Sequence, residues 1–246
     1  MLKSNFEFEV YINGHPAKEY YQNGATYIEG REGTKFSLRF KNNSWSKVLF
    51  VPTIDGLSVM DGKEGSFDSR GYIVNAYDSL TIDGWRTSNE SVAEFFFSSP
   101  KGSYAKKMNK GSNLGVIGGA VFTEKFNHYF AGASSGTGGD LFQTVTSTSA
   151  LGSGMSTVTL AGSNATNSIN TSCYSAASNL GTGFGQDKPS SVTTVSFDKE
   201  DTPTTVFTIY YNTRQALEKL GITFTKPVYI TPNPFPNEEG FCKRPY

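Results

Sequence analysis

Four carboxylates, Asp55, Asp61, Glu64 and Asp68, fall in one stretch punctuated by Gly56, Gly62 and Gly65. Calcium binds about six to eight oxygens, which a loop rich in carboxylates and free carbonyls can offer. The spacing is not that of an EF-hand, and Asp55 and Asp61 stand directly before glycine, where aspartate serves turn geometry. Turn chemistry without a metal is therefore the expectation. A glycosidase pair has no fixed separation along a chain, and nothing in the sequence singles one out.

The other reactive groups are scarce. His15 lies between Asn13-Gly14 and Pro16, a solvated turn setting, and His128 sits among Phe126, Tyr129 and Phe130 as a packed neighbour of aromatic rings. A serine nucleophile needs a base and a G-x-S-x-G elbow, and neither Gly152-Ser153-Gly154 nor Gly162-Ser163 supplies the elbow. Gly181-Thr182-Gly183-Phe184-Gly185 has the glycines of a phosphate loop without its lysine or helix. Close backbone approach or a bulge is the better reading. The chain is expected not to be an enzyme, with no catalytic residue, no metal and no cofactor. Trp45, Trp85, Tyr20, Tyr21, Tyr27 and Tyr77 could present flat faces to sugar rings, although core and rim packing accounts for most of them; a carbohydrate-binding β-sandwich module is the alternative function.

Charge removes further classes. Lys and Arg number 22 and Asp and Glu 22, so no net field draws the chain to nucleic acid or an anionic membrane. Charged residues make up 18% of the 246, against about 25% in an ordinary domain, while there are 19 Phe, 13 Tyr and 26 Gly. Cys173 and Cys242 are too few for a disulfide framework and have no zinc spacing; whether they pair is left open. Met1-Leu2-Lys3-Ser4-Asn5-Phe6-Glu7 turns charged before an apolar run builds, so neither a secretory signal nor a membrane span is expected.

Short strands must position these groups. Phe6 to Ile12 alternates apolar with polar and ends at Asn13-Gly14, a hairpin signal repeated at Asn23-Gly24. Phe36 to Phe40 alternates likewise, and Val48 to Val51 reads as a strand buried on both faces. Asp55-Gly56, Asp61-Gly62 and Asp83-Gly84 are expected turns, and Val92 to Phe97 and Leu114 to Phe122 close the run. Residues 1–124 are thus expected to form an antiparallel β-sandwich, jelly-roll-like, in a mainly all-β protein.

Residues 125–190 read as a Ser/Thr/Gly-rich uncharged arm or insertion; between Ala131 and Gly185 the one formal charge is Asp140. Leu141, Phe142 and Val145, then Val158 and Leu160, keep strand-forming residues in that background and are the candidate assembly contacts, because small uncharged side chains desolvate cheaply against a protein surface. Residues 191–246 are expected to complete the first unit with two strands, at Val192 to Phe197 and Val206 to Tyr211, and a short helix capped at Asn212 and stopped by Gly221. A strap with five prolines follows.

Glu29-Gly30-Arg31-Glu32-Gly33, Asp55-Gly56-Leu57-Ser58-Val59-Met60-Asp61-Gly62, Leu114-Gly115-Val116-Ile117-Gly118, Leu180-Gly181-Thr182-Gly183-Phe184-Gly185 and Ile209-Tyr210-Tyr211 resemble a family of uncharacterised proteins from bacteria and large DNA viruses. The resemblance brings no catalytic residues or activity; it implies that the arm and the last strands belong with the first domain. The expected function is a non-catalytic structural or assembly protein acting through protein partners or self-association. A viral capsid accessory or vertex (penton-like) component of a virion is the setting that the resemblance implies.

Overall fold

The computed structural model describes residues 1–125 and 178–224. In chain order the strands are β1 (Leu2–Lys3), β2 (Phe6–Ile12), β3 (His15–Pro16), β4 (Glu19–Gln22), β5 (Ala25–Glu29), β6 (Phe36–Asn42), β7 (Val48–Ile54), β8 (Leu57–Ser58), β9 (Tyr72–Val74) and β10 (Ser79–Ile82). They continue with β11 (Gly84–Arg86), β12 (Ser91–Ser98), helix α1 (Tyr104–Lys107), β13 (Val116–Thr123), β14 (Gly181–Pro189), β15 (Thr205–Asn212) and helix α2 (Arg214–Lys219). The fold is all-β and sandwich-like, and Met1–Glu124 joins the described residues from Ser178 onward in one compact unit.

One layer is built on β1-β2-β6-β10, with β3 on β2, and continues into β11-β12-β14; a bridge between Lys35 and Phe96 and the Phe95 N–H to Asp83 O bond join the two at a corner. The facing layer runs β4-β5-β15-β13-β7-β8, with β9 also on β7. Alternation in β2 and β6 sends Phe6, Phe8, Val10, Phe36, Leu38 and Phe40 inward. The rings meet the second layer directly: Phe40 stacks on Phe50 at 4.1 Å, and Phe8 lies 5.2 Å from Phe50 and 5.6 Å from Phe207. Each such burial contributes about 1.5–3 kcal/mol. The hairpin turns form as read, since Asn13-Gly14, Asn23-Gly24 and Asp55-Gly56 all hold both residues at positive φ.

Several expectations are corrected. The pair β5·β15 is parallel, so the second layer is a mixed sheet. Gly181–Pro189, expected within the arm, is a nine-residue strand along β12. Its glycines permit close approach: a Cβ on Gly183 would lie 2.1 Å from the Phe96 ring, and the register shifts between Ala93 and Phe95. Val192 to Phe197 forms no strand despite its composition. β14 already occupies the side of β12 away from β11, and β5 and β13 flank β15. The Val192 N–H therefore turns to Asn89 O, and Phe197 packs on the outside of the mixed sheet. Asp83-Gly84 is no turn; Gly84 opens β11 where a Cβ would meet Ala93 O at 2.1 Å. The cap of α2 is Thr213, whose Oγ1 accepts from the Ala216 N–H, while Asn212 Oδ1 accepts from Thr213 and Asn179. Helix α1, capped by Ser103, was not expected.

The candidate assembly residues Leu141, Phe142, Val145, Val158 and Leu160, together with His128, Cys173, Cys242 and the proline strap, lie outside the described residues.

Candidate functional site

The Asp55-Gly56 turn that joins β7 to β8 places a carboxylate in the interior of the β-rich unit. Asp55 is fully buried at φ +53°. Its Oδ1 accepts from the Tyr211 hydroxyl at 2.6 Å and the Gly115 N–H at 2.8 Å, and its Oδ2 accepts from the Thr182 N–H at 2.7 Å. The Tyr211 oxygen also lies 2.8 Å from Thr182 Oγ1. Burial pushes the Asp55 carboxyl up to about 6 against these hydrogen bonds, and burial pushes the Tyr211 phenol well above its ordinary value.

Perturbed carboxyls mark many active sites, but every oxygen here is engaged with the fold. Asp55 ties the β7–β8 turn to the approach of β13, to β14 and to β15. A cleft of about 630 Å3 opens on the other side of the turn, lined by Gly56, Glu64, Lys106, Lys110 and Asn113 among others. Asp55 itself points away from it, toward Tyr211 and Thr182.

The remaining sequence candidates separate. Asp61 accepts from the Lys63 N–H two residues on, Glu64 lines the cleft, and Asp68 is solvated beside Lys199 at 3.2 Å. Among the described residues no three His, Cys, Asp or Glu side chains gather as a metal site, and no helix is long and apolar enough to cross a membrane. His15 is exposed on β3.

The six aromatics form no single platform. Trp85 is core, its Nε1–H donating to Gly183 O. Tyr21 is exposed on the edge strand β4. Trp45 and Tyr77 stand on neighbouring loops, 72% exposed each. Tyr20 and Tyr27 belong to a row that sequence reading did not assemble: Tyr20 pairs with Tyr27 across β4·β5, and Tyr27 with Tyr210 across β5·β15, their rings 5.5 Å apart. Phe224 extends the row beside Tyr20 at 4.8 Å, with the Arg214 guanidinium over it. The signal was present as tyrosines at outward alternation positions, but the parallel β5·β15 pairing that aligns them spans nearly the whole sequence.

The outer faces of the two layers contrast. On the first, Glu7 faces Lys41 and Glu9 faces Arg39 across β2·β6, a charged and solvated surface. On the second, half the face is covered by the chain itself: Leu49, Val51, Ala120 and Phe122 pack with their sheet neighbour Ile73 against Phe197, with Phe67 edge-on to Phe122. The other half carries the tyrosine row with Val206 and Thr208, and Val206 and Tyr210 are 41% and 39% exposed. Compared with family models, with curated proteins and with solved structures, the chain matches none.

Proposed function

We propose that the protein is a non-catalytic structural or assembly component that associates with a second copy of itself through the outer face of the mixed sheet. The observation that carries this reading is the row Tyr20–Tyr27–Tyr210, an aromatic centre laid across three strands. Val206 and Thr208 continue it, and Lys18, Glu29 and Arg214 stand at its margin. An apolar, tyrosine-rich centre with a charged rim is the anatomy of a protein interface. The charged outer face of the opposite layer has no such centre. Zero net charge leaves little repulsion between copies. A particle surface, such as a capsid accessory or vertex position in a virion, is the setting implied by the resemblance to proteins of bacteria and large DNA viruses.

Sedimentation across a concentration series tests this. Tyr210→Lys places an ammonium in the centre of the face at an already part-exposed position, so the fold persists. The variant is expected to shift the association midpoint to at least about tenfold higher concentration. A wild-type chain that stays monomeric at high concentration, or a variant that associates equally well, overturns the proposal.

A further inference from the structure

At one end of the sandwich, two aromatic side chains stand in water on loops anchored by the buried polar residues Asn42 and Ser44. Asn42, the last residue of β6, is fully buried, and the two hydrogens of its Nδ2 are shared among Ser46 O, Val74 O and Asn75 O. Its Oδ1 accepts from both the N–H and the hydroxyl of Ser44. One amide thus spends all its capacity fixing the loop after β6 to the loop after β9. The Tyr77 N–H donates to Ser44 O, and the Asn42 N–H to Asp78 O, closing the two loops on each other.

From this base Trp45 and Tyr77 project, each 72% exposed. Tyr77 does so at φ +57°, a left-handed backbone that a bulky side chain adopts only at a cost. Strain of this kind persists where the surroundings over-determine it, and it concentrates at ligand contacts. Besides the two rings, the loops carry Asn43, Ser44, Ser46 and Lys47 on one side and Asn75, Ala76 and Asp78 on the other, with the Lys47 ammonium paired to Glu124 and the Asn43 N–H donating to Asn5 O. A protein interface surrounds its aromatic anchors with further apolar surface, whereas Ala76 is the one other apolar residue of the two loops.

We propose that the Trp45–Tyr77 tip is a binding site for an uncharged oligosaccharide. The two rings stack on the C–H faces of sugar units, while Asn43, Asn75 and Asp78 bond hydroxyls at the ring edges. Stacking suits rigid aromatics because each has only two side-chain torsions to lose. The two loops are also already locked, so little ordering cost remains. The site lies apart from the tyrosine row and stands or falls separately from the assembly reading.

The chain has two tryptophans, and Trp85 is 2% exposed, so a change in fluorescence on adding ligand reports Trp45. The full chain is screened on a broad glycan array, then titrated with soluble cello-, xylo-, manno- and chito-hexaose and with any hit from the array. Binding with a blue shift is expected, weakened about tenfold by Trp45→Ala. Tyr77→Gly gives the cleaner test. Glycine accepts φ +57° freely, so this variant should melt no lower than wild type and yet lose about tenfold in affinity. No glycan bound on the array or in solution overturns the proposal, as does binding that both variants leave unchanged. A tip whose loss alters only the oligomeric state overturns it in favour of a protein contact.

Discussion

Replacing Asp55 by asparagine separates the two things that residue does. Asparagine tolerates the left-handed backbone at φ +53°, so the turn into Gly56 is kept. In the native chain the carboxyl titrates at about 6 instead of 3.8 because burial penalises its charge. Between those values the folded state holds more protons than the unfolded one. Asp55 therefore contributes its full stability below pH ~4 and loses it as pH rises through ~6, by on the order of 3 kcal/mol. Protonation does not break the cluster, because the acid proton can be donated to the Tyr211 oxygen while that hydroxyl turns to Thr182 Oγ1 at 2.8 Å. Asp55→Asn removes the titration but installs an NH2 where an oxygen accepted from either Thr182 or Gly115. One backbone N–H is then unsatisfied at every pH, at a cost of about 1–3 kcal/mol. The variant is expected to be less stable than wild type by about that amount at pH 4 and roughly equal to it at pH 7.5. Urea unfolding of both chains at four pH values between 4 and 7.5 measures this, and the difference between chains cancels the other carboxylates. A difference that stays constant with pH, or that widens against the variant as pH rises, refutes the buried-charge argument.

Further outcomes follow from the same contacts. Asn42→Ala removes the amide that joins the two loops and leaves the Ser44 N–H without its acceptor, while Ser46 O and Asn75 O keep the Ser44 hydroxyl and the Asp78 N–H; the expected cost, read by urea unfolding, is about 1–3 kcal/mol. Gly183→Ala drives a Cβ into the Phe96 ring and should destabilise by at least about 1–3 kcal/mol, with a change in Trp85 emission because the indole bonds that residue's carbonyl. Exchanging residues 131–175 for a Gly/Ser linker is expected to leave cooperative unfolding in place, because the described core is built from residues before 125 and after 177; a chain that no longer unfolds cooperatively would contradict this.

Local signals in the sequence were read well, and long-range ones were not. Phe6-Glu7-Phe8-Glu9-Val10 carries its inward face in its alternation, and Asn13-Gly14 its turn in its residue types, because both depend only on neighbours. Val192 to Phe197 has equal strand character but pairs with no strand; the ladders beside β12 and β15 are taken by β14 and by β5 and β13. Gly181 to Gly185 was correctly read as a place of close approach, yet its partner, β12, is known only from the fold. The site shows the same division. Asp55 was legible as a turn residue; its burial beneath Tyr211 and Thr182, far along the chain, was not. Tyr20, Tyr27 and Trp85 are all aromatic, but the fold sends Trp85 into the core and the two tyrosines to the outer face of the mixed sheet.

The claim that the tyrosine face is covered by a second copy is tested most directly by hydroxyl-radical labelling of the full chain, dilute and concentrated. Tyr210, 39% exposed in the single chain, is expected to lose labelling as concentration rises, with a midpoint matching the sedimentation midpoint, while Trp45 is labelled equally throughout. Labelling of Tyr210 that does not change while the chain associates would place the contact elsewhere and contradict the account.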